Sequence, residues 1–290
     1  MEMDMIYELK NDCLAVKISS LGAQIISVKG LANGKEYIWD GKEYWQKHAP
    51  LLFPVCGSIT EPCTYRGREY FLGKHGFISR QEFEALSVGN GELVLVAKET
   101  AATLAEYPFA FEFRAIYSLD GTKLKSRYEI RNNSVEVMPY MFGLHPAFAL
   151  HGEAPKEEFY LDFGKEFTAT QYRLIAPFIN QCGFPRLIPD GKLYITDEIY
   201  NNDTIVLEGT KKSIDFISPA GRVFEMSWSD NFDILCVWKW YDDGARFICI
   251  EPWTNIPSDG KVTDDLEVKS MRRLDAGACD EYSYTVDFCL

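Results

Sequence analysis

The chain has 290 residues, 47% apolar and 14% aromatic, a composition that folds around a sizeable core and is not that of a disordered segment. Its net charge of −13 argues against a surface that tracks nucleic-acid phosphates and weakens the case for a strongly phosphorylated ligand, although a local basic pocket is compatible with it. The opening Met-Glu-Met-Asp-Met-Ile-Tyr lacks the basic and apolar regions of a signal peptide, and no apolar run has bilayer length. The expectation is a soluble cytoplasmic protein without nucleic-acid or membrane partners.

In chain order, apolar alternation marks strands over Cys13 to Ile18 and Ala23 to Val28, then an Asn33-Gly34 turn and a returning strand over Glu36 to Trp39. Glu84 to Val88 and Leu93 to Ala97 flank Gly89-Asn90-Gly91, and Phe111 to Leu119 and Lys123 to Ile130 flank Asp120-Gly121. Both are antiparallel hairpin signals, because such turn residues accept positive φ. Asp190-Gly191 and Asp243-Gly244 mark two further turns of the same kind. Only Glu99 to Ala105 and Thr263 to Lys269 carry a helical pattern, and each is short. No linker divides the chain and no repeat recurs, so the pattern predicts one all-β domain over 1–290, a large antiparallel β-sandwich with few short helices. The eight cysteines are scattered with no Cys-x-x-Cys pair, which favours reduced core thiols over disulfides or a metal knuckle.

Three irregular or charged stretches carry the chemistry. Between His48 and Arg80, Pro54, Gly57, Gly73 and Gly76 break the strand pattern, and His75 precedes Gly76; it is either a turn histidine or a ligand contact. Pro139 to Phe148 ends an apolar strand on His145, followed by Pro146. This histidine is either satisfied by a backbone carbonyl or held for proton transfer. Arg246 to Trp253 reads Arg-Phe-Ile-Cys-Ile-Glu-Pro-Trp, an apolar run on consecutive positions that must be covered on both faces. Pro252 predicts the end of that strand and leaves Glu251 at its mouth beside Trp253, either turned outward or desolvated and in need of a partner. Trp238 and Trp240 lie upstream, suited to the apolar face of a sugar ring or simply to one face of a strand. Two histidines and one carboxylate at strand ends form an acid/base set that needs neither metal nor nucleophile.

In this order Lys74-His75-Gly76-Phe77 with Arg80, Gly143-Leu144-His145-Pro146-Ala147-Phe148 and Cys249-Ile250-Glu251-Pro252-Trp253 resemble the aldose 1-epimerase (mutarotase) family, more closely its LacX-like branch. The resemblance spans nearly the whole chain. It implies a galactose mutarotase-like sandwich that interconverts the α and β anomers of a free aldose without cofactor. It also implies His145 as the general acid at the ring oxygen, Glu251 as the general base at the anomeric hydroxyl, His75 as a sugar contact and Arg80 at a matching arginine position; Trp238 and Trp253 are expected at the sugar as aromatic residues beside this polar set. Ser58 stands where relatives often carry an arginine, Thr254 follows Trp253 near a frequent glycine, and the family's sugar-contacting Asp has no obvious counterpart.

A binding-only carbohydrate sensor and a hexose-phosphate mutarotase using Arg66, Arg68, Lys74 and Arg80 are the alternatives. A glycosidase needs a second spaced carboxylate, for which Asp230, Asp233 and Asp259 are available, but it leaves the two histidines unexplained. No His-x-His spacing points to a metal. Nothing in the sequence sets the oligomeric state.

Overall fold

A computed structural model describes residues 4–89, 91–196, 204–242 and 244–290; Asn90 and Asp243, two of the turn positions expected above, lie outside them. The Asp120-Gly121 turn joins strands Phe111–Asp120 and Lys123–Asn132 in register, with Leu124 opposite Leu119 and Tyr128 opposite Ala115. Phe111, Phe113, Ala115 and Tyr117 point inward while Glu112 and Arg114 alternate outward. This hairpin lies within a nine-stranded antiparallel sheet that also holds Glu84–Gly89, Glu92–Lys98, Gly221–Trp228 and the long Cys279–Phe288.

A second, eight-stranded sheet contains Phe167–Tyr172, Thr204–Glu208, Ile234–Trp238 and Phe247–Trp253 in adjacent order. Two short strands, Gly143–Leu144 and Ala147–Ala149, both pair along the free side of Phe247–Trp253. The sheets meet through aromatic rings. Phe148 packs on Phe224 at 4.3 Å between centroids, and Phe113 meets Phe142 at 5.5 Å and Phe53 at 5.7 Å. Together these elements form the expected antiparallel β-sandwich.

Four expectations need correction. Phe247–Trp253 does not stop before Pro252 but runs through it, with Pro252 opposite Leu235. The missing N–H falls where it costs little. Ile250 N–H bonds Pro146 O and Thr254 N–H bonds Phe142 O, so position 252 faces the interval between the two short partner strands. Thr263 to Lys269 forms turns rather than a helix, because Thr64 N–H bonds Asp264 O, Leu266 N–H bonds Thr64 O, and the buried Asp264 carboxylate pairs with Lys269 at 2.7 Å. Glu36 to Trp39 makes only isolated bridges, from Glu36 to Lys29 and from Ile38 to Phe148. Asp190-Gly191 is a turn, but it carries the chain from the second sheet (Phe184–Ile188) to the first (Lys192–Tyr194) instead of closing a hairpin. A Cβ on Gly191 would stand 2.6 Å from the Lys165 backbone, so the crossing requires glycine.

The other helical expectation holds as Ala101–Glu106, where the Thr100 hydroxyl caps the Thr103 N–H. No cysteine is in a disulfide, and Cys56, Cys63, Cys236 and Cys249 are buried. No helix among the described residues is long and apolar enough to cross a membrane.

Candidate active site

The strand Phe247–Trp253 is buried along its whole length, for a different reason on each face. Ile248 and Ile250 join the core between the sheets. Phe247 and Cys249 point the other way, into a smaller cluster with Ala147 and Ala245 that is covered by Trp39, Tyr44, Trp45, Trp238 and Trp240. Glu251 follows Cys249 by two residues, so period-two alternation puts it on that second, tryptophan-covered face. The consecutive apolar run therefore reflects a sheet on one side and an aromatic layer on the other.

The register fixes the partner of Glu251. Gly143 lies opposite Trp253 and Ala147 opposite Cys249, which sets His145 directly across from Glu251. The His145 Nε2 stands 3.3 Å from Glu251 Oε1, with both side chains buried. Gly143 gives the neighbouring indole its space, since a Cβ there would come within 2.7 Å of Trp253 Cδ1 and 2.8 Å of Cys56 Sγ. The His145 ring is enclosed by Trp45, stacked at 5.0 Å, by Trp238 at 5.7 Å and by the edge of His75 at 5.6 Å.

His75 arrives on a separate loop. Gly76 packs so close to Phe53 that a Cβ would approach its carbonyl oxygen to 2.3 Å, and Phe77 N–H bonds the same oxygen. The turn holds His75 at φ 66°. Its backbone N–H donates to Gly57 O at 2.8 Å, and Gly57 N–H donates back to His75 Nδ1 at 3.0 Å. A backbone amide can only donate, so Nδ1 is the acceptor and the proton of the neutral ring sits on Nε2. Burial, then the charge of His145 and the cations of Lys74 and Lys47, keeps the His75 pKa well below the usual histidine value. Burial likewise drives His145 down, to about 3, with Lys47 and Lys74 acting in the same direction.

These residues line a cavity of about 470 Å³ that contains His75, His145, Trp238, Glu251 and Trp253. Five of the six residues expected at the site are thus brought together. Arg80 is not: it lies outside the cavity lining, bonding Gly76 O at 2.7 Å and pairing with Glu106, which ties it to the His75 loop and not to the cavity. Ser58 is also outside the lining, and its carbonyl accepts from Ser258 N–H. Glu251 is the sole carboxylate among the described lining residues.

Trp45, Lys47, Thr204 and Trp240 line the cavity as well. Trp45 and Lys47 lie just before the irregular stretch that begins at His48, where the sequence's signal is the aromatic run Trp39, Tyr44, Trp45 ahead of a cation.

Ligand atoms of His145, Cys249 and Glu251 lie within 4.8 Å of one another, a set that could hold a metal ion. Burial and the Glu251 charge raise the Cys249 pKa well above the usual thiol value, so the site offers a protonated sulfur where a metal prefers thiolate.

The family model described as aldose 1-epimerase matches residues 5–259. The plasmid and chromosomal forms of protein LacX from Lactococcus lactis subsp. lactis are each 30% identical to the chain, over 90% of it and 92% of theirs. A galactose mutarotase related enzyme from Lactobacillus acidophilus superposes with a TM-score of 0.90 at 29% identity, covering 99% of this chain and 98% of its own. A galactose mutarotase-like protein from Lactobacillus casei reaches a TM-score of 0.88 at 23% identity over 98% of this chain and 100% of its own, a likeness of fold. With a family match across most of its length and LacX relatives over nine-tenths of it, the chain belongs to the aldose 1-epimerase family.

Proposed function

We propose that the protein is an aldose 1-epimerase that interconverts α and β anomers at the His145–Glu251 pair. The observation that carries this reading is the 3.3 Å separation of His145 Nε2 and Glu251 Oε1 in a cavity walled by tryptophans. Mutarotation needs a proton removed from the anomeric hydroxyl and one delivered to the ring oxygen beside it, and this pair spans adjacent oxygens. Glu251 takes the hydroxyl proton as the bond from C1 to the ring oxygen breaks, and His145 protonates that oxygen. The open aldehyde turns about C1–C2 and closes with both transfers reversed. His75, with its proton on Nε2, donates to a sugar oxygen, and the indoles of Trp238 and Trp253 cover the apolar ring face. A single described carboxylate in the cavity argues against glycoside hydrolysis, which uses two.

His145 must enter this cycle as imidazolium to leave it neutral. Burial opposes that charge and the Glu251 carboxylate favours it, so the active fraction falls as pH rises. The test is saturation-transfer NMR of anomeric exchange in neutral and charged aldoses, with and without the protein. Enhanced exchange of at least one sugar is expected, and spontaneous rates for the entire panel, with saturable binding retained, would make this a sugar-binding protein instead.

A further inference from the structure

Lys47 and Lys74 line the same cavity as His75, His145 and Glu251, and both are exposed, which puts them at its mouth. Several other lysines of this acidic chain pair with carboxylates while exposed ones such as Lys10, Lys17 and Lys29 do not, so what sets Lys47 and Lys74 apart is their place in the cavity lining. Lys98 pairs with Glu112, Lys125 with Asp120, Lys261 with Asp259 and Lys269 with Asp264. Among the described residues neither Lys47 nor Lys74 has a carboxylate partner or a hydrogen bond. Lys47 is instead crowded by like charge: partial burial, then Lys74 and Arg80, lower its pKa. Among the other cations, Arg66 pairs with Glu136 and Arg80 with Glu106, and Arg68 lies outside the cavity lining.

We infer that the substrate is an aldose bearing an anionic group, a phosphate ester or a carboxylate, away from its anomeric carbon, and that Lys47 and Lys74 receive this group at the cavity mouth. The inference rests on the mutarotase reading above. It accounts for two ammonium groups without carboxylate partners placed where a ligand enters, since either anion offers at least two acceptor oxygens, one for each lysine. It also serves the acid. Both lysines oppose charging of His145, and an anion bound between them offsets that repulsion while the sugar is in place.

The experiment compares exchange kinetics of glucose, glucose 6-phosphate and glucuronate, and of the galactose set, in the wild type and in the Lys47→Gln/Lys74→Gln variant. In parallel, calorimetry measures binding of 1,5-anhydroglucitol and its 6-phosphate, which cannot change anomer. One charged class should exceed its neutral parent by about tenfold or more in kcat/KM and in affinity, and the variant should bring that ratio close to one. Phosphate and carboxylate arms then say which anion is read. Equal kcat/KM for neutral and charged sugars in the wild type overturns the inference while leaving the mutarotase intact. Preferential binding of the charged anhydro sugar without any exchange upholds the anion site and removes the mutarotase reading.

Discussion

The hairpin Phe111–Asp120/Lys123–Asn132 and the strand Phe247–Trp253 are both central to their sheets, yet they use charge in opposite ways. On the hairpin, Glu112, Arg114, Arg127 and Glu129 alternate with buried residues and pair with one another in contact with solvent. On the strand, a single carboxylate sits where both faces are covered by protein, and what meets it is an imidazole. A charge at an alternating position needs only water. A charge in a run without alternation needs a partner, and the partner at hand can exchange a proton with it.

The largest test of this contrast is Glu251→Gln, which keeps the shape and removes the base. Anomeric exchange should fall by about two orders of magnitude or more, with circular dichroism and melting close to wild type; near-normal exchange would reduce Glu251 to a packed residue. Next is Gly143→Ala. The added Cβ meets Trp253 and Cys56, so the indole must move. A stability loss of about 1–3 kcal/mol with a raised KM is expected in denaturant titration and kinetics; an unchanged KM would detach Trp253 from the sugar.

A third test reads the imidazole through stability. His145 is lowered in the folded state, so below about pH 6.5 the unfolded chain binds a proton that the folded chain refuses. The sign is a loss of stability as pH falls, by up to about 1.4 kcal/mol per pH unit for this residue. His145→Gln should flatten the slope of unfolding free energy between about pH 6.5 and about pH 5, and equal slopes would show that His145 titrates normally. The smallest effect belongs to the hairpin: Arg127→Ala loses pairs with Glu129 and Glu281 but should cost only about 0.2–1 kcal/mol and leave exchange untouched.

The contrast also explains how much was legible in advance. Hairpins with Asp-Gly turns and alternating faces announce themselves locally, and so do His75, His145 and Glu251 as candidate residues beside glycine or proline. Their direct apposition did not, because the register of two short strands, Gly143–Leu144 and Ala147–Ala149, against Phe247–Trp253 is a long-range fact. Arg80 was misplaced for the same reason: its spacing from His75 fits the motif, while Glu106 on the Ala101–Glu106 helix decides where its guanidinium goes. Lys47 is not legible in the sequence because an isolated lysine carries no periodicity, and only the fold brings it into the cavity lining. Pro252 was misread as a strand end because the gap between its two partner strands is likewise a tertiary feature.

The most direct test of the central claim, that His145 and Glu251 work as one proton-exchanging unit, is a double-mutant cycle on anomeric exchange: wild type, His145→Gln, Glu251→Gln and the double variant, all on the aldose that the wild type exchanges fastest. A pair acting together predicts that the double variant is hardly slower than the slower single one. Losses that multiply would mean that the two residues act independently, and would contradict the account.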